Sequence, residues 1–159
     1  MPATQPRVAA REVRTESPEA TRILAAALAT AAQPGDLIAL HGELGAGKTQ
    51  FAKGFGLGLG VTATINSPSY VLMAEYAGRL PLFHLDLYRL DDASDALAGG
   101  LLDERQAAGV SLVEWAERLG PALPADRLDV LFAGSGDGPR TIRLVATRPE
   151  LERYLAVLP

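Results

Sequence analysis

The 159-residue sequence predicts an α/β fold: one three-layer domain with a central, mostly parallel or mixed sheet flanked by helices. Three observations point there. The continuously apolar run Leu37-Ile38-Ala39-Leu40, bounded by turn signals, has the pattern of a strand buried on both faces. A glycine-rich stretch from Gly42 to Gly47 follows it and passes directly into a helical pattern. Further short apolar runs then alternate with helical segments toward the C-terminus.

Each element has a local reason. Arg7 to Arg14 alternates loosely, as a short first strand does. Ser17-Pro18-Glu19 combines an N-cap, a proline at the first helical position and an acid in the first turn. The helix it opens runs to about Ala32 and stops before the turn signal Pro34-Gly35-Asp36. After the apolar strand and the glycine loop, a second helix spans Lys48 to about Leu59. Strands are expected at Tyr70–Tyr76, Leu82–Asp86, Val110–Glu114, Leu128–Ala133 and Thr141–Ala146. Helices are expected at Ala93–Ala98, Trp115–Leu119 and Pro149–Leu158, with loops at Thr62–Ser67 and Gly134–Pro139. No repeat, charge block or low-complexity linker divides the chain, so residues 1–159 read as one domain.

Composition excludes several function classes. A chain near 150 residues buries roughly 68–70% of the surface it exposes when unfolded, so its core needs no covalent staples. With no cysteine there is no disulfide framework, cysteine-ligated zinc, iron–sulfur cluster or thiol nucleophile. Two histidines, His41 and His84, argue against a multi-histidine metal site. The net charge of −4 and pI of 5.2 argue against unaided binding to nucleic acid or an anionic membrane. The most apolar stretch, Ile23 to Ala32, is broken by Thr30 and falls well short of the ~20 residues a membrane span needs. Met1 to Arg14 carries three arginines but no apolar region of a secretion signal, so a cytoplasmic protein is expected.

The octet Gly42-Glu43-Leu44-Gly45-Ala46-Gly47-Lys48-Thr49 fits the pattern GxxxxGK[ST] and lies where that pattern requires, after a strand and opening a helix. From this composition, a chance match somewhere in the chain has a probability of about 0.002. Glycines allow successive backbone N–H groups to converge on phosphate oxygens, and the helix N-terminus adds a partial positive charge. Lys48 reaches the β- and γ-phosphates, and the Thr49 hydroxyl suits a Mg²⁺ ligand. Thirteen of the fifteen positive residues are arginine, yet lysine stands at the one position that needs a compact point charge. A P-loop nucleotide-binding domain follows. The alternating Gly54, Gly56, Gly58 and Gly60 do not form a dinucleotide fingerprint and read as close helix packing with a frayed end.

Hydrolysis also needs a carboxylate for Mg²⁺ and a group that orients water. Asp86 and Glu114 each end an apolar run, where a carboxylate is expensive unless paired or metal-bound. The same positions also suit strand-end acids that face solvent or pair with an arginine such as Arg89. Ser67-Pro68-Ser69 offers two hydroxyls on a stiffened loop, which fits a γ-phosphate sensor and equally a simple turn. His84 lies two residues from Asp86 on the same strand face and reads as a partly buried histidine rather than a general base. Trp115 suits either a core or rim aromatic or a partner contact.

Taken in order, His41 to Thr49, Asn66-Ser67-Pro68-Ser69, His84-Leu85-Asp86-Leu87-Tyr88-Arg89-Leu90 and Glu114-Trp115 resemble the TsaE (YjeE) family. These are small bacterial P-loop ATPases needed for N6-threonylcarbamoyladenosine (t6A) at position 37 of tRNAs that read ANN codons. The resemblance spans about Ser17 to Trp115, with a looser fit through Arg140-Thr141-Ile142. It implies that Gly45, Ala46, Gly47, Lys48 and Thr49, with Gln50, hold the phosphates of ATP, and that Thr49 and Glu114 ligate Mg²⁺. It further implies that Asp86 is the acid needed for hydrolysis, with Lys48 also serving the chemistry. Ser67 and Ser69 would form a switch-like loop, Trp115 would lie beside the nucleotide or partner surface, and Pro18 and Gly138 near the adenine. The sequence has Glu43 where the family often has Asp, Gln50 where a second Thr is common, and Ser69 where Thr is usual.

By the same resemblance the chain acts with a TsaD-like transferase and its inactive TsaB-like relative. ATP binding promotes assembly, hydrolysis resets the complex, and tRNA is reached only through the partners. Two other readings use the same loop: a small-molecule kinase, and a nucleotide-gated assembly switch with negligible turnover. No arginine-rich lid insert, as many such kinases carry, stands out after Thr49.

Overall fold

A computed structural model describes residues 8–43, 45–65, 73–88 and 104–159. Ser67, Ser69, Arg89, the expected helix Ala93–Ala98 and the first residues of the expected strand Tyr70–Tyr76 lie outside the described residues. The described elements are β1 (Ala9–Thr15), α1 (Pro18–Ala29), β2 (Leu37–His41), α2 (Lys48–Gly58), β3 (Met73–Tyr76), β4 (Leu82–Asp86), β5 (Val110–Glu114), β6 (Leu128–Ala133), β7 (Arg140–Ala146) and α3 (Arg153–Ala156). Single 3₁₀ segments lie at Glu104–Ala108, Ala116–Ala122 and Pro149–Glu152.

All seven strands join one mixed sheet in the order β1-β7-β6-β2-β5-β4-β3. Its centre, β6-β2-β5-β4, is parallel, and β7, β1 and β3 pair antiparallel at the flanks. Alternation along β2 divides the core. Ile38 and Leu40 meet Leu24, Leu28, Phe51 and Phe55 of the two long helices, whereas Leu37 and Ala39 join Phe83, Leu85, Val113 and Leu119 on the other face. β2 reads as an unbroken apolar run from Leu37 to Leu40 because both of its faces are covered.

The cap signals operate as the sequence predicts. Ser17 is extended, and its hydroxyl accepts the Ala20 N–H at 3.1 Å. The helix ends at Ala29, earlier than expected, because Thr30 turns back to hydrogen-bond Ala27 O at 2.6 Å. Helices α1 and α2 pack at glycine. A Cβ on Gly54 would overlap the Arg22 carbonyl, and one on Gly58 would lie 2.8 Å from Ala26 Cα. The contacts advance together along both helices, so α1 and α2 run in the same direction and begin at the same end of the sheet.

Two expected helices differ. Trp115–Leu119 is a 3₁₀ segment over Ala116–Ala122, bent where Gly120 has φ 50° before Pro121. Pro149–Leu158 is a 3₁₀ turn followed by the single turn α3, although Leu151, Tyr154, Leu155 and Leu158 keep the helical spacing and are buried. Asp36 anchors this end by accepting from Tyr154 Oη at 2.5 Å and pairing with Arg153. Burial and the Asp36 carboxylate push the Tyr154 phenol above its ordinary range. Among the described residues, no helix is long and apolar enough to cross a membrane.

Candidate functional site

Three neighbouring parallel strands end at the site. In the sheet, Leu40 of β2 is level with Glu114 of β5, and Glu114 is level with Asp86 of β4. The turn leaving β2 and the two strand-end carboxylates therefore share one edge, where parallel sheets hold ligands. They line a cavity of about 520 Å³ together with Lys48, Thr49 and Gln50 from the first turn of α2. Ser17, Pro18 and Thr21 at the start of α1 form a second wall, and Gly136, Asp137, Gly138 and Arg140 a third. Two helix N-termini thus open onto the same space with positive partial charge, and at α2 the first-turn N–H groups of Lys48, Thr49 and Gln50 have no intrahelical partner.

The glycine turn is built for close approach. Gly47 has φ 110° and Gly45 φ 79°, conformations that side chains rarely adopt, and a Cβ on Gly45 would meet nothing within 4 Å. That open space is what a phosphate group requires. Lys48 is only 5% exposed; its Nζ donates to Gly42 O at 2.5 Å and sits 3.8 Å from the centre of the Trp115 ring. Burial lowers the Lys48 ammonium below its ordinary value, and the charges of Glu114, Glu117 and Asp86 offset part of that effect. A triphosphate has the charge that compensates such a cation.

The two carboxylates are held differently. Asp86 Oδ1 accepts the Tyr88 N–H at 3.0 Å. Glu114 is 3% exposed, and its Oε2 lies 2.6 Å from His84 Nε2, with His84 fully buried. Glu114 and the Thr49 hydroxyl offer hard oxygen donors to the same cavity, a donor set that fits Mg²⁺. Among the described residues, no cluster of three or more histidine, cysteine or acidic side chains forms a separate metal centre.

Of the sequence-predicted site residues, Pro18, Gly45, Gly47, Lys48, Thr49, Gln50, Asp86, Glu114 and Gly138 all line the cavity. Ala46 does not. Its side chain is buried in the core, its N–H donates to Glu43 O at 3.1 Å, and its carbonyl accepts from Arg140. Ser67 and Ser69 lie outside the described residues.

Trp115, expected beside the nucleotide or partner surface, lines the cavity, and three contacts around the site go beyond what the sequence specifies. Arg140 is spread over backbone carbonyls of both walls: Gly45 at 3.0 Å and Ala46 at 3.1 Å in the phosphate loop, Gly136 at 2.7 Å and Gly138 at 2.5 Å opposite. Trp115 is the single non-glycine residue with positive φ (58°) among the described residues, and that bend sets its indole between Lys48 and Tyr88, whose ring is 5.0 Å away. His41, just before the glycine turn, bridges Asp129 at 2.9 Å and Glu117 at 3.5 Å. The sequence signals were the place of Trp115 after Glu114 and of Arg140 beside a glycine-rich loop, and neither specifies these partners.

The sequence profile of the family described as "Threonylcarbamoyl adenosine biosynthesis protein TsaE" matches residues 15–142, which span every wall of this cavity. The chain belongs to the TsaE family. It is 46% identical over 134 residues to the tRNA threonylcarbamoyladenosine biosynthesis protein TsaE of Bacillus subtilis, covering 84% of each chain. To its Streptomyces coelicolor namesake the identity is 40% over 137 residues, 84% of this chain and 93% of the relative. The crystal structure of Bacillus subtilis YdiB superposes with a TM-score of 0.78 at 37% identity, covering 96% of this TsaE-family chain and 95% of that one. The sheet and flanking helices are therefore those of a P-loop NTPase-like fold.

Proposed function

We propose that this TsaE-family protein is a Mg²⁺-dependent ATPase that serves t6A formation at position 37 of tRNAs reading ANN codons. It acts in the cytoplasm on a complex of TsaD-like transferase and TsaB-like partner, which provide the RNA surface. The observation that carries the reading is the convergence of the glycine turn, Lys48, Thr49, Asp86 and Glu114 on one cavity. The names of the relatives, all of them tRNA threonylcarbamoyladenosine biosynthesis proteins, support the pathway.

The geometry supports a division of labour. Backbone N–H groups of Gly45, Gly47, Lys48, Thr49 and Gln50 cradle the phosphates at the start of α2, and Lys48 supplies the compensating charge. Pro18 and Gly138, on the two remaining walls, flank the base. Thr49 and Glu114 would hold Mg²⁺, which when bound would neutralise charge on the phosphates. Asp86, fixed by the Tyr88 N–H, accepts a hydrogen bond from the attacking water and orients it. The water oxygen bonds to the γ-phosphorus as the bridge to the β-phosphate breaks, giving ADP and phosphate. Catalysis is positioning and charge neutralisation.

Isothermal titration with MgATP and a phosphate-release assay on variants test these roles. Lys48→Ala is expected to lose nucleotide binding, whereas Asp86→Ala keeps it and loses turnover. Equal loss of binding in both variants contradicts the division of labour. Turnover that appears only with an added metabolite acceptor would favour a kinase instead.

A further inference from the structure

His84 does not line the cavity, yet it touches the acid that does. Strand register explains the contact. His84 pairs with Leu112 and Asp86 with Glu114, so His84 and Glu114 are diagonal neighbours on one face of the sheet. At 2.6 Å the contact is a hydrogen bond, and with Glu114 serving as an ionised cation ligand the donor is His84 Nε2–H and the acceptor Glu114 Oε2. The other ring nitrogen, Nδ1, is buried with no hydrogen-bond partner among the described residues. A fully buried imidazole with one nitrogen unsatisfied is costly, and an apolar side chain of similar size fills the space without that cost. What the imidazole supplies here is its hold on Glu114.

We infer that His84 is a positioning residue for the cation site, its Nε2–H fixing Glu114 Oε2 so that the carboxylate presents its other oxygen to Mg²⁺. This rests on the reading of the cavity as a Mg²⁺–nucleotide site. The bond restrains rotation of the Glu114 carboxyl group, which otherwise turns freely about its last side-chain bond. Partners of this kind behind a metal ligand typically change metal affinity by about 10–100-fold when removed. His84 does not itself line the cavity, so its effect passes through Glu114 and falls chiefly on the cation.

The test is Mn²⁺ affinity by electron paramagnetic resonance with the full chain and a non-hydrolysable ATP analogue. Metal-free affinity for the same analogue and thermal unfolding are measured in parallel. His84→Met fills the space with no donor, and His84→Asn keeps a polar amide too short to reach Glu114. Both are expected to weaken Mn²⁺ by about 10–100-fold while metal-free analogue affinity stays within about twofold. His84→Gln, whose amide reaches the Nε2 position, is expected to restore Mn²⁺ affinity to within a few-fold of wild type. Having two loss variants keeps the comparison intact if one of them fails to fold. Wild-type Mn²⁺ affinity in the loss variants, or a Gln variant no better than Met and Asn, overturns the inference. So does a parallel loss of metal-free analogue binding. Failure of the wild type to bind analogue and Mn²⁺ would overturn the nucleotide reading itself, a result distinct from the other three.

Discussion

Gly54→Ala is a stringent test of how the site is assembled, because α1 and α2 each bring a wall of the cavity and meet at this glycine. An added methyl would overlap the Arg22 carbonyl oxygen and lie 2.5 Å from Arg22 Cα. Carbon atoms pack best at about 3.5–4.0 Å, so the helices must separate by about 1 Å or bend. Alanine gains roughly 0.5–1 kcal/mol of helix propensity over glycine. Overpacking against rigid backbone costs about 1–3 kcal/mol, and the widened seam forfeits dispersion along the rest of the contact. The net expectation is a loss of about 1–3 kcal/mol, or roughly 2–12 °C in Tm for a chain of this size. Gly56→Ala is the control. Its methyl would meet chiefly Ile65 Cδ1, the free end of a flexible side chain, so it should be nearly neutral. Urea denaturation and thermal scans measure both variants. A Gly54→Ala protein as stable as wild type, or one less damaged than Gly56→Ala, refutes the backbone-contact account.

Other expectations follow from single contacts. Arg140→Lys cannot span carbonyls on both walls, so MgATP affinity should fall by about tenfold, read by titration calorimetry, with the fold intact by circular dichroism. Desolvation raises the Asp129 carboxyl, but hydrogen bonds from His41 and Arg127 outweigh it and hold the group below its ordinary 3.8. Its stabilising contribution is therefore complete above the unfolded value and is lost as pH falls through the lower folded one. Asp129→Asn should flatten the acid limb of stability at and below the ordinary carboxylate range in denaturation series, and an unchanged limb would contradict the pairing. Tyr154→Phe removes a donor to the Asp36 carboxylate and should destabilise by about 1–2 kcal/mol in urea titrations, tempered by Arg153 and the Gln33 N–H on the same carboxylate.

What the sequence revealed was local chemistry. Ser17-Pro18-Glu19 starts α1 because a capping hydroxyl and a preset proline φ act within one turn. The octet from Gly42 marks the phosphate turn because only glycine tolerates the conformations of Gly45 and Gly47. Asp86 and Glu114 stood out as acids ending apolar runs, and adjacent parallel strands bring them level. What stayed hidden depends on distant register or on backbone angles that composition does not encode. The His84 contact with Glu114 exists because β4 pairs with β5, and the Arg140 clamp because β7 returns beside the phosphate turn. Trp115 covers Lys48 only through a bend that a bulky residue rarely adopts. Ala46 belongs to a binding motif by sequence, yet its methyl packs in the core and its peptide groups serve the turn itself.

The most direct measurement of the central proposal is the rate of phosphate release from MgATP by the purified chain, alone and with TsaB-like and TsaD-like partners. The proposal predicts slow release alone, a marked increase with the partners, and loss of both rates in Asp86→Ala with MgATP still bound. Release unaffected by partners, or an Asp86→Ala protein that turns over at the wild-type rate, would contradict it.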